Sequence, residues 1–91
     1  MTYDFRAAEQ FWKSFHALTD AQKESTRKAW QIFKTDPFDS RLRTHKIHSL
    51  SALYKRTIYS VTVEKDLRVV FFFDGRTVFT VDIGTHDIYR V

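Results

Sequence analysis

Residues 67–83, LRVVFFFDGRTVFTVDI, carry the clearest structural signal in the chain. Two runs of β-branched and aromatic side chains flank Asp74-Gly75, a dipeptide that favours a two-residue type I′ turn between antiparallel strands. Just before them, residues 58–63, IYSVTV, alternate between apolar and polar side chains with the period of a strand. The pattern predicts an antiparallel meander, a sheet that can bury one face and leave the other open to solvent.

The turn sets a register, and the register predicts which side chains meet. With the turn at this dipeptide, Arg68 lies opposite Val81 and Asp66 lies opposite Ile83. Asp66 and Arg68 are two residues apart and therefore share a face of the sheet. The chain that leaves the last strand carries His86 past the same end. We expect Asp66, Arg68 and His86 to converge at the end of the sheet away from the turn.

Residues 7–36 have the periodicity of helices. Apolar side chains recur at helical spacing on one face, namely Ala8, Phe11, Phe15 and Leu18. Thr19, with Gln22 three residues later, is typical of a capping box and predicts a second helix that runs to about Lys34. Pro37 stops that helix, because the residue before a proline disfavours helical geometry.

The expected fold is therefore α+β, with two N-terminal helices packed on one face of a three- to four-stranded antiparallel β-sheet. A short extra edge strand at residues 3–5 is compatible with the sequence. Residues 38–56 show no clear periodicity, so no structure is predicted for them.

Length and composition restrict the class of protein. Residues 1–91 form one domain, and 43% hydrophobic with 16% aromatic side chains is typical of a globular fold. The absence of cysteine excludes disulfides and thiolate metal sites, and the four histidines lack paired metal-ligand spacing. No apolar run approaches the roughly 20 residues of a membrane helix. We therefore expect a cytoplasmic protein with no metal site and no membrane partner.

Positive charge is concentrated in the middle of the chain. The net charge is +4, and residues 38–60 hold five basic side chains and one acidic one. Such a block predicts a polyanionic partner such as RNA, DNA or an acidic protein segment, and a solvated loop is the simpler alternative. The candidate RNA-binding residues are Arg41, Arg43, Lys46, Lys55 and Arg56.

Four short segments, taken in order, resemble a known family. They are HKI at 45–47, YSV at 59–61, DLRVVF at 66–71 and IGTHD at 83–87. Their order and spacing resemble the RelE/ParE superfamily of bacterial toxins, and within it the YafQ-like and YoeB-like ribosome-dependent mRNA interferases. The resemblance covers nearly the whole chain. It implies a RelE-like fold and the toxin of a type II toxin–antitoxin module, a metal-independent endoribonuclease without a cofactor.

The resemblance also implies partners and site residues. The partners are a cognate antitoxin, mRNA in the ribosomal A site, and the ribosome with its rRNA. In the implied reaction a ribose 2′-OH attacks the adjacent phosphate, which requires a base, an acid and a cation. His45 matches the general base and His86 a proton-transfer position. Arg68 matches the phosphate-charge stabiliser, and Asp66 an acidic residue that orients a partner.

The sequence departs from the family pattern in three places. The glycine that usually follows the HKI-like segment is replaced by His48-Ser49-Leu50. Thr62 stands where YafQ-like members have a second histidine. The aromatic residue that follows the last histidine is displaced, with Tyr89 three residues after His86 and Arg90 at the fourth. Two other functions stay open: a ParE-like toxin that inhibits DNA gyrase by binding alone, and a catalytically degenerate member of the family.

Each candidate residue also has a simpler interpretation. Asp66 and Arg68 could form a surface ion pair with no role in catalysis. His86 could be an edge histidine with a structural hydrogen bond, and His45 an exposed residue of the basic loop.

Overall fold

The computed structural model describes residues 3–89, which form three α-helices and a five-stranded sheet. In chain order these elements are β1 Asp4–Ala7, α1 Glu9–His16, α2 Asp20–Phe33, β2 His45–Lys46, α3 His48–Tyr54, β3 Tyr59–Glu64, β4 Leu67–Asp74 and β5 Thr77–Gly84. Two 3₁₀ turns lie at Ser40–Leu42 and His86–Tyr89. The strand order is β1-β5-β4-β3-β2. The predicted α+β class is confirmed.

α1 and α2 pack on one face of the sheet, as their periodicity predicts. α2 begins with the predicted capping box, in which the Thr19 hydroxyl accepts a hydrogen bond from the Gln22 N–H and the Gln22 side chain accepts one from the Thr19 N–H. Phe11 of α1 and Phe33 of α2 are buried in the core on this side. The Phe33 ring meets that of Phe71 on β4 nearly edge-on, with 4.9 Å between centroids.

The opposite face of the sheet, the second face, is partly covered by other elements of the chain. The sequence allowed this face to be open to solvent, but residues 38–56, for which no structure was predicted, contain α3, which packs there together with the C-terminal 3₁₀ turn. This produces a second apolar cluster formed by Ile47, Leu50, Ile58 and Val70, with Phe72, Val81, Ile88 and Tyr89 packed against it.

The sheet has five strands where three or four were predicted. The extra edge strand is present as β1, but it pairs with β5 in parallel, so the sheet is mixed. β2 was not predicted. It contains two residues, which pair with Tyr59 and Ser60 of β3, and two residues are too few to show the period of a strand.

The β4–β5 turn lies one residue later than predicted. Asp74 pairs with Thr77, so the two turn residues are Gly75 and Arg76. Gly75 has a φ of 61°, whereas Arg76 has no positive φ. A positive φ at the first central position alone is the type II′ pattern, which takes glycine there. The sequence thus allowed two turns that both use Gly75, and the chain adopts the one that was not predicted.

A bulge in β5 shifts the pairing further. The register changes between Val70 and the next residue of β4, and one extra residue of β5 is accommodated there. Arg68 consequently lies opposite Gly84 and not opposite Val81. Asp66 lies in the turn between β3 and β4 and is not paired with β5. Both residues nevertheless stay at the end of the sheet where the sequence placed them.

Candidate functional site

Polar side chains gather on the second face of the sheet and at its end away from the β4–β5 turn. Ser60 of β3 lies opposite His45 on one side and opposite Val70 on the other, so these three residues share a face. Arg68 precedes Val70 by two residues on β4 and therefore points to the same face. Two strand spacings separate His45 from Arg68, about 10 Å across the sheet.

Arg68 is held by the backbone of the β3–β4 turn. Its Nη1 donates hydrogen bonds to the carbonyl oxygens of Glu64 at 3.1 Å and Lys65 at 3.2 Å. Within residues 3–89 no carboxylate lies within ion-pair distance of Arg68, so the alternative of an ion pair with Asp66 is not what the structure shows. Thr62 is the residue directly opposite Arg68 on β3. The guanidinium is thus held in place by backbone carbonyls and, among residues 3–89, has no carboxylate at ion-pair distance.

His86 and Asp66 meet at this end of the sheet, although 20 residues separate them in the chain. The Nδ1 atom of His86 lies 3.3 Å from Oδ1 of Asp66. Both side chains are exposed, at 61% and 67%, so the contact contributes little to stability and chiefly orients the imidazole ring. The ring keeps its Nε2 edge available for a partner outside the protein.

Tyr89 connects the C-terminal turn to the sheet. Side chains three residues apart in a 3₁₀ helix lie one above the other, and the rings of His86 and Tyr89 meet at 87° with 5.3 Å between centroids. The Tyr89 hydroxyl shares a hydrogen bond with Oγ of Ser60, a fully buried residue. Sequence reasoning gave neither Tyr89 nor Ser60 a role. The three-residue spacing of His86 and Tyr89 was the available signal. Arg90 lies outside the described residues.

His45 lies at the edge of the same face, in an orientation fixed by its own loop. Its Nδ1 is 3.0 Å from the carbonyl oxygen of Arg43, a residue with a left-handed φ of 51°. A carbonyl oxygen can only accept, so Nδ1 carries the hydrogen in this contact and the neutral ring keeps its lone pair on Nε2. His45 is exposed, and that lone pair is the one a general base needs.

Arg41, one of the five candidate RNA-binding residues, is engaged by an acidic neighbour. Its Nε and Nη2 donate to the two carboxylate oxygens of Asp39, both at 3.0 Å. These hydrogen bonds from Arg41 lower the pKa of the Asp39 carboxyl to about 2 and raise the pKa of Arg41. Part of the positive charge of the middle block is therefore neutralised within the loop.

The other candidate cations divide between two places. Arg43 and Lys46 are exposed on either side of His45, while Lys55 and Arg56 follow the end of α3. The Arg56 guanidinium lies over the Phe72 ring, 4.3 Å from its centroid. Phe72 is four residues from Arg68 along β4, about 13 Å at the rise of a strand. The five cations thus do not form one cluster. Arg56 lies on the second face, whereas Lys46 pairs with Tyr59, which packs in the core on the helix side.

Other kinds of site are missing from the part of the chain that is described. Within residues 3–89 no group of three or more histidine, cysteine, aspartate or glutamate side chains could hold a metal ion. Over the same residues, no helix combines the length and the apolar character needed to cross a membrane.

Comparisons with known proteins identify the fold. No protein-family model matches the chain, and no curated protein matches it by sequence. Solved structures do match. The archaeal RelE–RelB complex from Pyrococcus horikoshii OT3 contains a chain with a TM-score of 0.71 and 15% identity, over 93% of this chain and 96% of that one.

Two bacterial structures give the same result. The Escherichia coli DinJ–YafQ toxin–antitoxin complex matches with a TM-score of 0.71 and 15% identity over 100% of both chains. A YoeB/ParE toxin from Agrobacterium tumefaciens matches with a TM-score of 0.69 and 15% identity, over 91% of this chain and 98% of that one. The predicted RelE-like fold is therefore confirmed over nearly the full length of the chain.

Proposed function

We propose that this chain is the toxin of a type II toxin–antitoxin pair and that it cleaves mRNA on the ribosome in the cytoplasm. The observation that carries the proposal is the arrangement of His45, Arg68 and the His86–Asp66 pair, which lie on or beside one face of the sheet. These side chains supply two proton-transfer groups and one fixed cation. The shared fold supports the proposal, because the compared structures include a DinJ–YafQ toxin–antitoxin complex and a YoeB/ParE toxin.

The proposed reaction is a transesterification within the RNA. The ribose 2′-oxygen forms a bond to the adjacent phosphorus, and the bond from phosphorus to the 5′-oxygen of the next nucleotide breaks. The base removes the 2′-OH proton and the acid protonates the departing 5′-oxygen. The products are a 2′,3′-cyclic phosphate and a 5′-hydroxyl end. The reaction therefore needs two proton-transfer groups and a cation that stabilises the charge of the phosphorane.

The geometry suggests how the roles are divided. His45 presents the Nε2 lone pair and is the proposed base, since its Nδ1 faces the Arg43 carbonyl. His86 is the proposed acid: Asp66 beside Nδ1 orients the ring, and in the imidazolium form, which carries a hydrogen on both nitrogens, the Nε2–H is the proton to be delivered. The Arg68 guanidinium, anchored by two turn carbonyls, offers its remaining N–H groups to the phosphate oxygens.

The exposure of the site supports a need for the ribosome. His86 and Asp66 are more than half exposed, and His45 is exposed. Such an open surface cannot by itself hold a flexible single strand with its 2′-oxygen in line with the phosphate. Correct orientation is worth several kcal/mol of the barrier, and we propose that the ribosomal A site supplies it by presenting the mRNA.

The decisive experiment is cleavage of a defined mRNA by the purified protein, with and without programmed ribosomes, mapped by primer extension. We expect cuts when ribosomes are present and nearly intact RNA when they are absent. The control is the His86→Gln protein, which should leave the RNA intact in both settings. Efficient cleavage of naked RNA at many sites would contradict ribosome dependence. Growth arrest without any cleavage would favour the gyrase-binding alternative.

This chain offers a suitable surface for the proposed partner, an antitoxin, on the helix side of the sheet. α1 packs against β5 and α2 against β3, and an apolar cavity of about 230 Å³ lies between the two helices. Its lining includes two partly exposed tryptophans, Trp12 at 48% and Trp30 at 39%. Arg6 also lines it and has no acidic partner within the described residues. This helix groove suits an amphipathic antitoxin segment with acidic flanks.

A further inference from the structure

Ser60 is the most deeply buried polar residue near the proposed site. It has no solvent exposure and lies in β3 between His45 on β2 and Val70 on β4. Its hydroxyl is satisfied by the hydroxyl of Tyr89, which comes from the last described turn of the chain. A buried hydroxyl that loses its partner carries a desolvation penalty. The Ser60–Tyr89 bond therefore fixes where that turn sits on the sheet.

The C-terminal turn is short and depends on its contacts with the rest of the chain to keep its place on the sheet. It is a 3₁₀ segment of four residues, too short to be stable on its own. Its own backbone contributes the Ile88 N–H bond to the Thr85 carbonyl at 3.0 Å. The Ile88 side chain packs on the sheet over Gly84, where a Cβ would lie 2.6 Å from its Cγ2 atom. The side chains of Ile88 and Tyr89 are therefore among the groups that position the turn on the sheet.

The position of Tyr89 bears directly on His86. The two residues lie three apart in the same turn, and their rings are in edge-to-face contact. On its other side His86 contacts Asp66, which belongs to a different turn of the chain. The His86 ring thus lies between Tyr89 of its own turn and Asp66 of the β3–β4 turn. A shift of the turn relative to the sheet would separate His86 from Asp66.

We propose that Tyr89 is a positioning residue whose hydrogen bond to Ser60 fixes the C-terminal turn so that His86 faces Asp66 and the scissile phosphate. The inference rests on the proposed function as far as cleavage is concerned, but the placement of His86 is a property of the folded chain alone. Tyr89 touches neither proton of the reaction and acts through His86. Since misplacement of a reacting group by about 1 Å can cost up to about 100-fold in rate, losing this bond should be visible in turnover.

The test is a double-mutant cycle in the full chain with Tyr89→Phe, Ser60→Ala and the two combined. Tyr89→Phe keeps the aromatic ring against His86 and removes the hydroxyl. We expect each single variant to lower the maximal cleavage rate on saturating ribosomes about tenfold, with the half-saturating ribosome concentration unchanged. The double variant should be no slower than either single one, because all three lack the same bond.

A second readout is independent of cleavage. The imidazole nitrogen resonances of His86 report its tautomer and its contact with Asp66 in the free protein. We expect them to move in Tyr89→Phe and in Ser60→Ala, while those of His45 stay in place. Tyr3→Phe is the matched control, because Tyr3 packs against Phe73 on the helix side. It should change neither the rate nor the His86 resonances.

The outcomes separate the two proposals. If the unaltered protein does not cleave mRNA on ribosomes, the proposed function fails, and the His86 resonances still decide whether Tyr89 positions that ring. Unchanged His86 resonances in both single variants would overturn the positioning role. So would additive effects in the cycle. Loss of the folded state in both single variants would assign the bond to stability and would also overturn it.

Discussion

Arg68 is the residue whose local structure bears most directly on the proposed chemistry. Its guanidinium is anchored by two carbonyl oxygens of the β3–β4 turn and has no carboxylate partner among residues 3–89. A positive charge held in place before the reaction does not have to reorganise as the phosphorane forms, which is the main advantage of a preorganised site. Arginine also offers a planar fork that fits two phosphate oxygens.

Arg68→Ala should slow cleavage by about 10²–10³-fold, the effect of losing one preorganised donor. Arg68→Lys should recover part of the rate, because lysine keeps the charge but cannot bond two turn carbonyls and a phosphate with one planar group. Primer-extension rates and thermal melts of each variant provide the measurement. The control is Arg76→Ala, an exposed arginine at the other end of the sheet, beside Asp4. Full toxicity of a folded Arg68→Ala protein would remove Arg68 from the site.

His86→Gln should lower the cleavage rate by about 10²–10⁴-fold, since glutamine can hydrogen-bond but cannot transfer a proton. Asp66→Asn should have a smaller effect, because it removes the carboxylate that orients the ring and leaves the acid in place. Both side chains are exposed, so unfolding free energies should change by no more than about 0.5 kcal/mol. His16→Gln, on α1, serves as the control. Melting temperatures that fall sharply with either substitution would make these residues structural.

The sequence predicted where these residues lie better than what they contact. Asp66, Arg68 and His86 were expected at one end of the sheet, and all three are there, because the β3–β4 turn and the end of β5 share that end in any register. The partner of Arg68 could not be predicted. The carbonyl oxygens of Glu64 and Lys65 bind the guanidinium in place of the Asp66 carboxylate. Every residue has a backbone carbonyl, so the residue types do not indicate which carbonyl binds.

At the level of the elements, the sequence predicted those that carry a distinct local pattern. The capping box of α2 is a local pattern of two residues that satisfy each other's backbone groups, and it was read correctly. β2 and α3 were missed for the opposite reason. A two-residue strand has no period, and α3, HSLSALY, is only seven residues long with one buried leucine, which is too short to show a helical pattern. Its helical state depends on packing against the second face.

Gly84→Ala should displace the C-terminal turn, because the new Cβ would lie 2.6 Å from Ile88 Cγ2. Ile88 is β-branched and has little rotamer freedom with which to escape. We expect a loss of about 1–3 kcal/mol in unfolding free energy and a cleavage rate reduced as in Tyr89→Phe. Thermal melts and primer extension measure the two effects.

Gly75→Ala is the matched control for that substitution. Gly75 has a positive φ, but a Cβ there meets nothing within 4 Å. We therefore expect Gly75→Ala to lower the unfolding free energy by about 1 kcal/mol through backbone strain at the far end of the sheet. Cleavage should be retained. A fully active Gly84→Ala protein would show that the turn tolerates displacement and would weaken the case for His86 as the acid.

On the scale of the whole molecule, the sheet separates two surfaces. The second face carries His45, Arg68 and Arg56, while the helix side carries the helix groove with its two tryptophans. Inhibition by an antitoxin does not require that its main anchor cover the site. A long segment anchored in the groove could extend around the edge of the sheet to His86. Cleavage at the second face and antitoxin binding in the helix groove can therefore be tested separately.

We expect the product of an adjacent gene to bind this chain with nanomolar affinity or better, about −12 kcal/mol, and to suppress cleavage. Trp12→Ala and Trp30→Ala should each weaken that binding by about 30-fold or more, the effect of removing a buried aromatic anchor. Titration calorimetry measures the binding. Cleavage by the free variants should persist, because both tryptophans lie on the face opposite the site. Leu53→Ala, which removes an exposed apolar side chain from α3, is the control. If both tryptophan variants bind as tightly as the unaltered chain, the antitoxin anchors elsewhere and the helix groove is not its site.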